Sequence, residues 1–300
     1  VSRGWRLALG AILLTASGAM AAEPRPDLRV VTLNLFHGGA SSGLIGDGGQ
    51  LEARLAIVTA ELRELRPDVV ALQEASESWG RGNVAARLAA ALGLHHVHAP
   101  ATSRVSPLAF LNRMLVFALN FNEGPAVLSR FPITSSVVHD LPRCERPLHP
   151  RVMLETEVAT PWGPLRVYST HTERDACQHE RVAEVVVARR GPLPSILMGD
   201  LNATEAFPSI AALVNGTGFV DAYRAANAEA PGLTVWQRID ADAPTVLRRV
   251  DYVLVLPGAT MTGRVTASRI IVNAPQRIDG RTLWPSDHYG VLIDLVLDGP

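Results

Sequence analysis

Three hundred residues, 47% of them hydrophobic, are enough to build one large packed domain or two small ones. A formal charge of −1 excludes the broad basic field that marks general nucleic-acid binders. The chain has no Lys, so its cationic contacts fall to Arg, whose guanidinium can fork onto a phosphate.

The first 21 residues place Arg3 and Arg6 before an apolar run from Leu7, with Ala19 and Ala21 flanking Met20. That is the order of a secretory signal peptide (residues 1–21), cleaved after Ala21, and it predicts a secreted or periplasmic protein. The alternative is an uncleaved anchor, although the apolar run is short for a membrane span.

Leu28 to Leu35 alternates as a strand with Asn34 near its end, before the Gly-rich stretch HGGASSGLIGDGG. A helix follows, with Leu51, Leu55, Val58, Leu62 and Leu65 on one face and Pro67 as its stop. Asp68 to Leu72 is a second buried strand, ending in Gln73 and Glu74. Asn83 to Leu92 is a short helix closed by Gly93. The tract HHVHAP lacks ligand spacing and reads as surface strand, since adjacent His side chains diverge. The stretch Leu108 to Phe121 is unusually apolar; it reads either as a buried strand pair or as an exposed patch that meets lipid.

GPAVLSRFPITSS reads as strand, bend, strand, with the bend at Ser129 and Arg130. Val152 to Val158 and Leu165 to Thr170 form a hairpin whose second strand ends at His171, and Glu180 to Arg190 is helical. Ser195 to Met198 is a core strand running into Gly199-Asp200-Leu201-Asn202. On an extended backbone, Asp200 and Asn202 point the same way, though Asp and Asn are equally good turn formers. Phe207 to Val214 is a short helix, and Phe219 to Tyr223 and Thr234 to Gln237 are short extended pieces. Asp251 lies in the apolar strand Arg248 to Leu256, where a buried carboxylate needs a partner, and Asp287 and His288 precede the last strand. No repeat or composition break divides residues 28–298, so one domain is expected. Cys144 and Cys177 are expected to form a disulfide in an oxidising compartment, the alternative being two free thiols.

Each strand-end polar residue has a plain reading as a cap or a solvated end. Together, at the ends of so many apolar strands, they suggest a site. The order TLNLFHG, ALQEA, AVLSRFPI, YSTHT, GDLNA, RVDYVLV, PSDHYG resembles the endonuclease/exonuclease/phosphatase superfamily, which includes deoxyribonuclease, repair nucleases, neutral sphingomyelinases and inositol polyphosphate phosphatases. The resemblance implies an α/β, four-layered sandwich of two mixed β-sheets with helices outside. It implies Glu74 as the principal ligand of Mg²⁺, with Mn²⁺ also possible, supported by Asn34 and, through water, by Asp287. His288, oriented by Asp251, would be the general base as a neutral imidazole. His171 and Asn202 would donate to the phosphate, and Asp200 would orient the nucleophile or itself act as the base. Glu123 would pair with His171 to hold its ring. The chain reads STHT and GDLN where the superfamily more often has NTHL and GDFN.

Three functions fit these residues. One is a metal-dependent phosphodiesterase or nuclease acting on nucleic acid. A second is a phospholipase C of the sphingomyelinase sort that meets the membrane through Leu108 to Phe121. The third is a non-catalytic binding module on the same fold. A monomer is expected in each case.

Overall fold

The computed structural model describes Val1 and residues 27–298; the rest of the expected signal peptide, residues 2–21, lies outside the described residues. In chain order the elements begin β1 (Leu28–Asn34), α1 (Leu51–Leu65), β2 (Val69–Ser78), β3 (Gly82–Asn83), α2 (Val84–Leu92), β4 (His95–His98), α3 (Ala109–Leu119), β5 (Asn122–Ser129) and β6 (Ile133–Asp140). They continue β7 (Val152–Thr160), β8 (Gly163–His171), α4 (Ala176–Ala188), β9 (Ser195–Asp200), α5 (Pro208–Thr217), β10 (Val220–Asp221) and α6 (Ala222–Ala226). The last are β11 (Asp251–Leu256), β12 (Thr262–Ile271), β13 (Gln276–Ile278), β14 (Arg281–Leu283) and β15 (Gly290–Asp298).

One sheet runs β12-β15-β1-β2-β5-β4, with β3 against β2; the other runs β10-β11-β9-β8-β7-β6. Both are mixed: β1 and β2, and likewise β8 and β9, are parallel, while the other pairs are antiparallel. Side-chain alternation explains the layering. Val30, Val69 and Val291 of the first sheet meet Val167, Ile196, Met198 and Val253 of the second in a shared core. Val31, Leu33 and Leu72 turn outward onto Leu55, Val58 and Leu62 of α1 and Leu88 of α2. Leu197, Tyr168 and Leu254 turn outward onto Val182 and Val186 of α4 and Ile210 and Leu213 of α5. Helices, sheet, sheet and helices therefore stack as the expected α/β sandwich.

The helix ends follow local chemistry. The Asn83 side chain accepts from the Ala86 N–H at the start of α2, and Gly93 closes that helix in the left-handed region. Asp175 caps α4, which starts earlier than the expected Glu180.

The stretch Leu108 to Phe121 is not a buried strand pair. Ala109–Leu119 is the helix α3, and Asn112 is its one buried residue. Its continuous apolar run carries no alternation to separate strand from helix, and no β-branched residue but Val116 favours a strand. The expected disulfide is present: Cys144 and Cys177 are joined, with Cα atoms 6.7 Å apart.

Candidate active site

The same alternation that builds the shared core positions the site. Val30 faces the opposite sheet, so Asn34 does too; Ile196 and Met198 do, so Asp200 follows. In register beside Asp200 stand His171 on β8 and Asp251 on β11. Where the apolar residues stop, both sheets present polar groups to the same space. Asn34 Nδ2 bridges the sheets, donating to Asp200 Oδ2 at 3.2 Å.

Glu74 reaches this space through an irregularity. The register of β2 against β5 shifts between Leu72 and Ala75, and Glu74 sits in the left-handed region at φ 53°. A bulge of this kind re-aims a side chain that regular pleating would turn toward the helices. Glu74 Oε1 then accepts from Asn34 Nδ2 at 3.3 Å, and Oε2 accepts from the His37 backbone N–H at 3.1 Å, with His37 Nε2 at 3.2 Å. Burial would raise the Glu74 carboxyl, but His37, His288 and Asn34 outweigh it and hold it below the usual glutamate range.

Asp200 is the hub. Its Oδ1 accepts from the Asn202 N–H at 2.8 Å, and its Oδ2 lies 3.3 Å from His171 Nε2 and 3.7 Å from His288 Nε2. Asn202 does not arrive by extended alternation, because β9 ends at Asp200 and Asn202 is left-handed at φ 52°. The turn reading and the site reading are both met: Asp200 forms an Asx turn, and Asn202 Nδ2 still reaches His171 Nε2 at 3.0 Å and the Thr172 carbonyl at 2.8 Å.

His288 Nδ1 and Asp251 Oδ2 are 2.9 Å apart, which turns Nε2 toward Asp200. Burial lowers the His288 pKa, but Asp251 and Asp200 overcome it and push it up to about 10. Burial pushes Asp200 up to about 7 and Asp287 up to about 6. His171 is held well below the usual histidine range by burial, with Arg151 and His288 adding to it.

The expected pairing of Glu123 with His171 is absent: His171 Nδ1 is buried without a hydrogen-bond partner. His171 is instead held from its Nε2 side by Asn202 and Asp200, which β9 places in register. Glu123 lines a cavity with Glu74 and Arg151, and burial raises its carboxyl.

Two residues outside the expected set shape the site. His37 contacts Glu74 twice, and its presence in TLNLFHG was the available signal. Arg54 lies on α1 and donates to the carbonyls of Leu35 at 2.7 Å, Phe36 at 2.6 Å, Gly48 at 2.8 Å, Gly49 at 2.7 Å and Pro285 at 3.1 Å. One Arg on an amphipathic helix gives no sign in sequence that it is buried.

A divalent cation such as Mg²⁺ or Mn²⁺ fits these residues. The donors are carboxylate and amide oxygens, which suit hard ions, and Asp251 Oδ1 is buried without a partner. Asp200, Asp251 and His288 bring ligand atoms within 4.8 Å of one another. Beside them, the Glu74 carboxylate accepts from Asn34 Nδ2 and adds to the field that raises Asp287. Acidic oxygens grouped with two imidazoles at the polar end of a two-sheet core are consistent with a metal-dependent phosphoesterase.

The chain belongs to the endonuclease/exonuclease/phosphatase family, whose model matches residues 31–288. It is similar to a solved endonuclease/exonuclease/phosphatase from Beutenbergia cavernae, at 25% identity and TM-score 0.64, covering 91% of this chain and 72% of that one. A mannosyl-6-phosphatase from Bacteroides thetaiotaomicron shares the fold at 19% identity and TM-score 0.66, covering 90% and 99% of the two chains. A family protein from Leptotrichia buccalis does so at 18% identity and TM-score 0.64, covering 89% and 99%. No curated protein matches the sequence.

Proposed function

We propose that this chain is a phosphodiesterase that cleaves its substrate by in-line attack of water with the help of Mg²⁺ or Mn²⁺, working outside the cytoplasm. What supports the chemistry is the convergence of Asn34, Glu74, His171, Asp200, Asn202, Asp251 and His288 from both sheets. What supports a diester is that cavities open at both ends of this chain of contacts. One of 440 Å³ reaches Glu74, and another of 280 Å³ reaches Asn202. A phosphoryl group between them can carry a substituent on either side.

Glu74 and Asp287, with Asn34 beside them donating to Glu74, would hold the cation, next to the pair that His288 and Asp251 form. A cation held there would supply Lewis-acid stabilisation of the charge on the phosphoryl and leaving oxygens and would offset the carboxylate field on His288. Asp251 fixes the His288 ring so that Nε2 is the atom that takes the proton from the attacking water. Asp200, between the imidazoles, orients that water. Asn202 Nδ2 holds the His171 ring by its Nε2, and the Nδ1–H of that ring, which has no partner, would donate to a phosphoryl oxygen as charge builds.

Turnover of a soluble chromogenic diester tests this reading. His288→Ala should lower kcat by about a hundredfold to ten-thousandfold, and Glu74→Gln should lower it at least as far, with the circular dichroism spectrum intact. EDTA should abolish turnover and Mg²⁺ or Mn²⁺ restore it. Near wild-type rates in either folded variant, or turnover that survives chelation, would reject the assignment.

A further inference from the structure

Glu74 reaches the site only because the backbone around it departs from a regular strand. Leu72 faces the helices, and on an unbroken strand Glu74, two residues on, would face them too. Instead Gln73 and Glu74 of β2 stand against the single residue Pro125 of β5. Glu74 itself lies at φ 53°, in the left-handed region, which costs any residue that carries a Cβ. Pro125 has no N–H to give, and its carbonyl is turned the other way, accepting from the Ala99 N–H at 2.9 Å. The ladder with β5 therefore gives the bulge no hydrogen bond at Pro125, and groups on either side of Glu74 have to hold it. On the N-terminal side the Gln73 carbonyl accepts from the Leu35 N–H at 3.0 Å. On the C-terminal side the Ala75 carbonyl accepts from a side chain, His98 Nε2, at 2.9 Å.

His98 ends β4 and is the third histidine of the tract HHVHAP; His95 and His96 are exposed, whereas the His98 side chain is only 5% exposed. Its ring is fixed from both sides. Asn83 Oδ1 accepts from the Ala86 N–H, so Asn83 Nδ2 faces the ring and donates to its Nδ1 at 2.9 Å. An Nδ1 that accepts leaves Nε2 as the nitrogen that carries the proton, and Nε2 is the atom that faces the Ala75 carbonyl. Burial pulls the His98 pKa below the usual histidine range, against Glu77 and the Ala75 carbonyl, which favours this neutral ring. A directed run of hydrogen bonds thus goes from the first turn of α2, through Asn83 and His98, to the residue after Glu74.

We propose that His98 is a positioning residue for Glu74: by holding the Ala75 carbonyl it keeps the bulge in β2, and so keeps the Glu74 carboxylate beside Asn34, where it can serve a cation. His98 touches neither the cation ligands nor the space between the sheets; it acts through the backbone of β2 from the helix side. Losing its two hydrogen bonds would lower stability in any case. What distinguishes positioning from stability alone is whether the conformation of Glu74 and the affinity for the cation change with it. The part of this inference that concerns the cation rests on the metal-dependent reading of the site; the part that concerns the conformation of Glu74 does not.

The test compares wild type with His98→Leu and His98→Gln. Metal-free crystal structures read the conformation of Glu74, and calorimetric titration with Mg²⁺ reads the affinity; neither needs turnover. Leucine can neither donate to the Ala75 carbonyl nor accept from Asn83, whereas glutamine can do both through its Nε2 and Oε1. In His98→Leu the Glu74 backbone should leave the left-handed region, and the Kd for Mg²⁺ should rise by about tenfold to a hundredfold. In His98→Gln both should stay close to wild type. A His98→Leu variant that melts earlier but keeps the Glu74 conformation and the Kd overturns the proposal, and so does a His98→Gln variant that fares no better than His98→Leu. Should His98→Leu not fold, Asn83→Ser decides: serine still caps α2 but no longer fixes the ring. That variant should shift both readings in the same direction, and a wild-type Glu74 conformation and Kd in it overturn the proposal as well. Wild type that binds no Mg²⁺, together with a displaced Glu74 in His98→Leu, upholds the positioning role and removes the cation reading instead.

Discussion

Arg54 shows how a single residue can hold the site without touching substrate. Its guanidinium is buried among five carbonyl oxygens from the loops after β1, before α1 and before β15. Burial lowers its pKa to about 10, with Asp287 and Glu74 opposing the drop, so it stays charged at neutral pH. Arg54→Met keeps most of the volume and loses every one of those bonds, and should cost about 3–5 kcal/mol in urea unfolding, as breaking a buried charged network does. His179 is a second such residue. Its ring spans Ser209 Oγ at 2.6 Å and the Leu201 carbonyl at 2.9 Å, and burial pulls its pKa below 6.5. A histidine depressed in the folded state contributes stability above its unfolded pKa and loses it as pH falls through that value. Asp200 and Asp287, raised by burial, act with the opposite sign, so the difference between variants is the informative quantity. His179→Gln should destabilise at about pH 7.5 yet lose less stability than wild type on going to about pH 5; equal losses would rule out the buried neutral ring.

The elements differ in how far the sequence revealed them. β1, β9 and β11 were legible because apolar alternation stops at a polar residue, and α2 because Asn83 and Gly93 bracket it. The bulge at Glu74 was not, since nothing in ALQEA marks which residue is extra; the position was found, but its conformation was not. α3 was misread because an element apolar on all sides lacks the periodicity that distinguishes helix from strand. The disulfide binds one further element to the site. It closes a separation of 33 residues and ties the N-terminus of α4 to the loop whose Leu148, His149 and Arg151 line one cavity and whose Glu145 and Arg146 line the other. Cys144→Ser/Cys177→Ser should lower stability by about 3–4 kcal/mol in the chain-entropy model. Because the loop shapes the cavities and not the hydrogen bonds around Asp200, KM should rise in the folded variant while kcat holds. A fall in kcat with KM unchanged would place the loop in the chemistry instead.

At the scale of the molecule, the sequence showed which strands end in polar residues but not that two sheets would turn those ends toward each other. That depends on pairing between strands far apart in the chain, such as β1 with β15, and only the family resemblance supplied it. Once stacked, the sheets share one core and one site: Asn34 of the first donates to Asp200 of the second, and Ser169 Oγ of the second donates to the Leu72 carbonyl of the first. Unfolding must separate both at once, so a ligand of the site stabilises the whole domain. The Asp200 and Asp287 carboxylates are buried only in the folded chain, and their burial, with the neighbouring carboxylates adding to it, opposes folding until a cation offsets it. Mg²⁺ at about a hundredfold above its Kd should add about 2.7 kcal/mol, a rise of about 5 °C in a single thermal transition. Glu74→Gln removes a proposed ligand together with a carboxylate that His37 and Asn34 stabilise in the fold, so its metal-free Tm should fall below that of wild type while its response to Mg²⁺ largely disappears. Scanning calorimetry of both proteins with and without Mg²⁺ decides the matter: an equal Mg²⁺ shift in the two would mean that the cation binds elsewhere, and two separate transitions would mean that the sheets do not unfold as one.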